Sequence, residues 1–335
     1  MNRRDFHRTL SASMAATFTV TLTASFAGAA HAQGFPSKPM TMVVPYPAGG
    51  PSDFVARQMQ PELAKSLGQT LVVDNVGGVA GAIGVQKMLS APADGHTFTL
   101  GSPLELIIAP LTLSAVKYTP DDIKMVAQIV KAPLVLLARK DFPANTVEEL
   151  VALATRPGAK QFSMANVGMG SLFHLAAERL TQISGAKFVH VPYRGGAQIM
   201  TDLMGGQVDM GFGTFAGPIP GMVAEGKLKA LGLTTRAPLA RFANIPAIAA
   251  NPKFAELEFD SWAGIQVPKN TPDEASARLN RAVHEALRNP DIRKAFEASG
   301  NTVSSPMNVA DTDRLFKAEV VRYQAIAKSI NLQPQ

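Results

Sequence analysis

The chain twice repeats one local order: an apolar run, a glycine loop closed by a serine, then an amphipathic segment. The run Met40–Val44 leads into Pro45-Tyr46-Pro47-Ala48-Gly49-Gly50-Pro51-Ser52-Asp53, and residues 161–165 lead into Asn166-Val167-Gly168-Met169-Gly170-Ser171. A loop of this kind at a helix start leaves backbone N–H groups without intrahelical partners and aims them at one point, which attracts an anion. Two such loops on one chain predict two lobes that close on a negatively charged small molecule. Pro47 and Pro51 stiffen the first loop, which lowers the ordering cost of binding.

The flanking pattern predicts a helix capped by Ser52 and running to about Leu67, with Phe54, Val55, Met59, Leu63 and Leu67 on one face. Residues 70–73 and 97–101 predict strands, separated by a glycine-rich loop (Gly77, Gly78, Gly81, Gly84) and a short helix ending at Ser90. The order then returns, with a strand at 161–165, a helix capped by Ser171 to about Ser184, a strand at 188–191, a helix at 197–204 and a strand at 208–212. Such alternation marks a parallel α/β sheet, and sheets of that kind bind ligands at the carboxyl ends of their strands. Both serine-closed loops sit at such ends. Residues 132–138 are expected to cross between the lobes and 261–267 to return, with helices at 272–287 and 309–330 packing back on the first lobe. The expected fold is therefore two-lobed α/β, each lobe a mainly parallel sheet flanked by helices. Residues 33–133 and 258–335 would form one discontinuous domain and residues 134–257 the other.

The N-terminus reads as an export signal. Arg3 and Arg4 precede Phe6, residues 9–30 carry no charge, and Ala30-His31-Ala32 supplies a small-x-small cleavage pattern. A twin-arginine route and a general secretory route both fit, and either leads to the periplasm. The apolar run is rich in Ala, Thr and Ser, too weakly hydrophobic for a membrane anchor. Absence of cysteine rules out disulfides, thiolate metal sites and a cysteine nucleophile. The formal charge is +6; Arg3, Arg4 and Arg8 against Asp5 give the leader +2, so +4 remains without it. That mild, scattered excess with few aromatics argues against a nucleic-acid surface.

Several motifs carry two readings. Asp53 complements the dipole of the helix it opens, and its carboxylate could equally bind a water or a ligand. His174 shares a helical face with Ser171, and is either a ligand contact or a bonded lobe residue. In His190-Val191-Pro192-Tyr193-Arg194-Gly195-Gly196, Tyr193 could wall the cleft while Arg194 reads as a surface charge. Trp262 reads as packing at the return crossing or as cleft lining. The loop from Gly77 to Gly84 lacks dinucleotide spacing, and no Lys-Ser or Lys-Thr pair follows any glycine loop as a nucleotide P-loop requires. Neither a G-x-S-x-G elbow nor H-E-x-x-H occurs, and His96, His174, His190 and His284 form no metal-ligand pair in sequence. No cofactor and no metal are expected.

Taken in order, these motifs resemble the periplasmic solute receptors of tripartite tricarboxylate transporters, often called the Bug family. The resemblance is carried by Pro45 to Gly50 with Asp53 and Ala56-Arg57, and by Pro92-Ala93-Asp94-Gly95-His96-Thr97. Further matches are Gly168 to Ser171 with His174-Leu175-Ala176, His190 to Gly195, Asp202-Leu203 with Gly206-Gln207-Val208-Asp209, Gly226-Lys227-Leu228 with Ala230-Leu231, and Ser261-Trp262. The resemblance implies a monomeric Venus-flytrap binding protein without catalysis, delivering a small mono- or dicarboxylate to the membrane subunits of the transporter. It also implies that Ala48, Gly49, Gly50, Ser52 and Asp53 pinch one carboxylate against Val167, Gly168, Met169, Gly170 and Ser171. Tyr46, Ser102, Asn166, His174, Tyr193, Phe212 and Thr214 would complete the pocket. Ala48 stands where the family commonly has a second proline and Arg194 where lysine is commoner. These departures, with the segment from Gly213 to Pro218, leave the ligand's identity open. Two alternatives share part of the pattern: a sensory receptor that presents the same ligand to a membrane signalling system, and a periplasmic hydrolase using Ser171 with His174.

Overall fold

The structure, a computed structural model, describes residues 34–329 except Met169 and Arg194. The expected export signal and cleavage site, like those two residues, lie outside the described set.

The first repeat folds as read. Strand β1 (Met40–Val44) leads through the first loop into helix α1 (Pro51–Leu67), followed by β2 (Leu71–Asn75), α2 (Ala82–Ser90) and β3 (Thr97–Gly101). Helix α1 begins two residues earlier than expected, and its cap is not Ser52. Gly50 is the N-cap, Pro51 occupies the first turn and no side chain caps the end, because proline's fixed φ and missing N–H suit a first helical position. Gly68 closes the helix in the left-handed region, φ 70°. Val55, Ala56, Met59, Leu63 and Leu67 are buried, and Phe54 is half-buried.

A short π-turn (Leu104–Ile108) and helix α3 (Ala109–Thr112) lead to β4 (Ile123–Arg139). The second repeat comprises α4 (Val147–Ala154), β5 (Phe162–Asn166), α5 (Leu172–Ser184), β6 (Phe188–Pro192), α6 (Gly196–Met204), β7 (Met210–Thr214), α7 (Ile219–Ala224) and β8 (Leu228–Leu233). The return crossing is β9 (Asp260–Pro268), after which come α8 (Asp273–Ala286), α9 (Pro290–Ala298), β10 (Thr302–Val303) and α10 (Val309–Ser329).

The expected crossing at 132–138 is only the end of a 17-residue strand that belongs to both sheets. Its first part, to Pro133, pairs antiparallel with β9, and the order there is β2-β1-β3-β9-β4. Its second part, from Leu134, lies between β7 and β8, extending the order as β4-β7-β5-β6. The β1/β2, β1/β3, β5/β6 and β5/β7 pairs are parallel. At the junction, Phe215 N–H donates to Pro133 O (2.9 Å) and Leu134 N–H to Thr234 Oγ (2.9 Å).

Two cores result. Met42, Val44, Met59, Phe98, Ile265, Leu279, Val283 and Phe296 join α1, α8 and α9 to the first sheet. Leu136, Met164, Leu172, Leu175, Leu180 and Phe254 join α5 to the second. Helix α10 packs against β4, where Met125 N–H donates to Asp313 Oδ1 (3.3 Å). Its Phe316 stands edge-on to Trp262 (6.1 Å) and its Tyr323 hydroxyl donates to Asp260 O (3.0 Å), so it lies along the junction of the two sheets.

Candidate functional site

Both serine-closed loops open on one cavity of about 820 Å³, which falls in the upper part of the range typical of small-molecule sites. The two halves of the molecule touch around it. A Cβ built on Gly170 would lie 2.4 Å from Thr112 Cβ, and one on Gly300 would lie 2.4 Å from Phe215 O. Only glycine permits those approaches.

In the first loop, Gly49 adopts φ 85° and donates its N–H to Asp53 Oδ2 (2.9 Å). The same oxygen accepts from Arg57 Nε (2.9 Å). Burial opposes ionisation of Asp53, but the bonds from Arg57 and Gly49 outweigh it and hold the carboxyl below its ordinary range. Asp53 is thus the internal brace of the loop, and it is absent from the cavity wall. Among the described residues, the N–H groups of Gly50, Ser52 and Asp53 meet no acceptor. These are the donors that a helix start leaves free.

Tyr46 and Ser102 sit on the cavity wall, and both engage Glu105 behind it. Tyr46 Oη donates to Glu105 Oε2 (2.9 Å), Ser102 Oγ to the same oxygen (2.7 Å), and Ser102 N–H to Glu105 Oε1. Burial raises the Glu105 carboxyl to about 7, against the opposing bonds from Ser102 and Tyr46. The glycines of the 77–84 loop serve this packing. A Cβ on Gly81 would meet Glu105 Cβ at 2.8 Å, and one on Gly84 would meet Pro45 Cα at 2.8 Å.

In the second loop, Ser171 caps α5 and its Oγ accepts from His174 N–H (3.3 Å). Gly168 N–H is engaged by Asn166 Oδ1 (3.0 Å), Gly170 N–H by His174 Nδ1 (2.9 Å) and Ser171 N–H by Gly168 O (3.1 Å). The glycine amides singled out by the sequence therefore shape the loop from within. Among the described residues, the N–H groups of Leu172 and Phe173 meet no acceptor in the first turn of α5.

Tyr46, Ala48, Gly49, Gly50, Ser52, Ser102, Val167, Gly168, Ser171, Phe212 and Thr214 line the cavity. Asp53, Asn166, Gly170, His174 and Tyr193 stand behind it. Asn166 and His174 hold the loop as described, while Tyr193 Oη donates to Asp202 Oδ2 (2.7 Å) and ties the β6–α6 turn to its helix. Trp262 both packs at the junction and lines the cavity. The sequence reading passed over the apolar wall supplied by α3, α6 and α7, including Ile108, Leu113, Met200, Met204, Ile219 and Met222. The apolar spacing within α6 was visible, but which part of it would face the cleft depends on how the helix packs.

One cluster brings together histidines that the sequence holds sixteen residues apart. His174, Glu178 and His190 converge, with one ligand atom from each within 4.8 Å of the others. The i,i+4 spacing of His174 and Glu178 was the available signal; β6 adds His190, whose Nε2 lies 2.7 Å from Glu178 Oε1. The Gly170 amide makes Nδ1 of His174 an acceptor, so Nε2 carries the hydrogen and directs it toward Glu178 (3.7 Å). A ligating histidine has the reverse arrangement, its second nitrogen donating outward. Within the cluster the close pair is His190 with Glu178, which ties β6 to α5, while His174 Nε2 meets no hydrogen-bond partner among the described residues. Burial, helped by the neighbouring His190, lowers His174 to about 4, with Glu178 opposing.

Residues 55–332 match the family model of the tripartite tricarboxylate transporter family receptor, TctC. The chain belongs to this family. A TctC relative in Pseudomonas sp. strain P51, the UPF0065 protein in the tcbD-tcbE intergenic region, is 32% identical over 91% of this chain and 90% of its own. Protein BugT of Bordetella pertussis strain Tohama I is 30% identical over 91% of this chain and 93% of its own. Among solved structures, Rpa4515 of R. palustris with adipate superposes with a TM-score of 0.82 at 28% identity, covering 90% of this chain and 100% of that one. MatC from Rhodopseudomonas palustris with bound malate gives 0.79 at 28% identity, covering 87% and 99%. The fold is the two-lobed α/β fold of periplasmic binding proteins, as the motif resemblance implied. Among the described residues, no helix is long and apolar enough to cross a membrane.

Proposed function

We propose that this TctC protein is an exported receptor, cleaved after about Ala32, that closes two lobes on a small carboxylate. The closed monomer is presented to the membrane subunits of a tripartite transporter. Residues 33–133 with 258–335 and residues 134–257 are the lobes, hinged where β4 and β9 pass between them. The carboxylate sits between Gly50, Ser52 and Asp53 N–H of one lobe and the first turn of α5 in the other, with the hydroxyls of Ser52 and Ser171 beside it. The carrying observation is that helix-start amides from both halves, with no acceptor among the described residues, flank one cavity. The malate and adipate in the MatC and Rpa4515 structures are carboxylates and support the same chemistry.

The site binds without turnover. His174 Nδ1 is engaged by Gly170, and it is the backbone N–H of His174, not its ring, that reaches Ser171 Oγ. A nucleophilic serine needs a base on its hydroxyl.

Thermal-shift screening of the purified protein against organic acids, neutral sugars and amines tests the proposal. At a hundredfold its Kd a ligand adds about 2.7 kcal/mol, worth about 4 °C of Tm in a chain of this size. Stabilisation by acids alone is expected, together with loss of uptake of the same acid when the gene is deleted. Stabilisation by sugars or amines but no acid would refute it.

A further inference from the structure

One buried acid stands directly behind the cavity wall. Glu105, in the π-turn, is fully buried, and its carboxyl is a single hydroxyl away from the cavity. Its Oε1 accepts from Ser102 N–H, and its Oε2 accepts from both Ser102 Oγ (2.7 Å) and Tyr46 Oη (2.9 Å). Ser102 Oγ also accepts from Leu104 N–H (3.3 Å), and among the described residues it has no acceptor other than Glu105. Tyr46 Oη has a second acceptor within reach, Ala80 O (3.4 Å).

We infer that Glu105 is a positioning residue that couples capture of the acid to uptake of one proton, turning the Ser102 hydroxyl into the cavity as a donor to an oxygen of the bound acid. The inference rests on the carboxylate reading above and deepens it. While Glu105 is ionised, the Ser102 and Tyr46 hydroxyl hydrogens are both committed inward, and Ser102 offers an anion only a lone pair. A proton from solvent goes to Oε2, because Oε1 is held by the Ser102 amide. The new O–H donates to Ser102 Oγ. Together with Leu104 N–H it fills both lone pairs of that oxygen, whose own hydrogen then has only the cavity to turn to. Tyr46 passes its hydrogen bond to Ala80 O. An anion against Ser102 in turn favours the protonated form, since neighbouring carboxylates in a low-dielectric site do not both ionise. Burial already raises the Glu105 carboxyl to about 7, against the bonds from Ser102 and Tyr46, so the anion completes the shift near neutral pH. The proton leaves when the acid leaves. The other titratable groups at Glu105 stay neutral: burial holds Tyr46, and Tyr118 from the segment before β4, above the ordinary phenol range. The amide of Gln266 approaches from β9, its Oε1 accepting from Gly101 N–H (2.9 Å). In the helices packed against the π-turn, Lys87 of α2 pairs with Asp74 and Lys317 of α10 with Asp313 rather than with Glu105.

Calorimetry of the purified protein with hexanoate, hexanedioate and benzoate as probes tests this at pH 6.5 and 8.5, in buffers of different ionisation enthalpy so that protons taken up are read directly. The parent protein is expected to bind these acids about fivefold or more weakly at pH 8.5 than at pH 6.5, with proton uptake on binding. Glu105→Gln places an amide nitrogen that donates to Ser102 Oγ at every pH, while its oxygen still accepts from Ser102 N–H. It should bind at pH 8.5 about as tightly as the parent does at pH 6.5, without proton uptake. A merely structural role for Glu105 would not produce that gain. Ser102→Ala keeps the buried carboxyl but removes the donor, and should weaken binding at pH 6.5 about threefold or more. Parent affinity that ignores pH, proton uptake that persists in E105Q, loss of binding in E105Q at both pH values, or full affinity in S102A at pH 6.5 would each overturn this inference while leaving the carboxylate reading intact. Binding of neutral sugars or amines in place of all the acids would overturn both.

Discussion

Asp53 and His174 shape the site without standing on it. Each accepts a loop amide, Gly49 N–H in one case and Gly170 N–H in the other, so each fixes the path of a loop whose free donors lie a residue or two further on. Both were legible as polar residues in the right place, but not in that role. Which atom a carboxylate or imidazole bonds depends on packing that spacing does not carry. Two buried titrating groups beside the loops give opposite pH dependence. Glu105 is raised to about 7 from the ordinary 4.5, so the folded state holds its proton more tightly and stability is full below 4.5 and lost as pH rises through 7. For this fully buried carboxyl the difference corresponds to about 3 kcal/mol. His174 is lowered to about 4 from 6.5, so the unfolded chain takes the proton first and stability is lost as pH falls from 6.5 to 4. Chemical denaturation across pH should show E105Q gaining on the parent protein at pH 8 and near parity at pH 4.5. H174N, whose amide oxygen can still accept from Gly170, should flatten the acid limb despite Glu178 and His190 nearby. Equal effects at both pH values would contradict these assignments.

At the scale of elements, helix starts act as the binding groups, and they succeed because glycine lets them approach. The Ser171 cap and the α5 boundaries follow directly from the sequence, since a serine before an apolar-periodic run satisfies an N–H that would otherwise be orphaned. The start of α1 was misplaced because Pro51 and Gly50 suit the first turn and the cap as well as Ser52 does. The double membership of β4 was hidden for a different reason: strand partners are set by register between distant segments, and a continuous apolar run looks the same in either sheet. The joining of His190 to His174 and Glu178 was hidden likewise. Gly170 shows how much one close approach decides. At φ 79° and in contact with Thr112, it lets α5 meet α3 across the cleft. Gly170→Ala should weaken ligand binding more than tenfold by calorimetry, because its Cβ holds the halves apart. Thr112→Gly in the same chain should return part of the affinity; no recovery would place the whole effect in backbone strain instead.

For the molecule as a whole, two sheets sharing one strand provide both rigidity and a place to bend. β4 is continuous through the junction, where β9 begins at Asp260 opposite Pro133, and at Pro133 β4 passes from one set of partners to another. A concerted rotation there would carry one loop toward the other, as in hinge closure. The order of elements and the two-lobed plan were readable because each repeat is locally consistent. The apolar character of the cavity wall was not, because it is assembled from α3, α6 and α7, which meet only in the folded chain. The central claim is that backbone amides from both lobes hold one carboxylate without a cationic side chain. A crystal structure of the protein with its tightest-binding carboxylate ligand tests it most directly. The expected result places the carboxylate oxygens within about 3 Å of N–H groups at the starts of both α1 and α5, directly or through one water. A carboxylate held by one lobe alone, or paired with a side-chain cation, would contradict it.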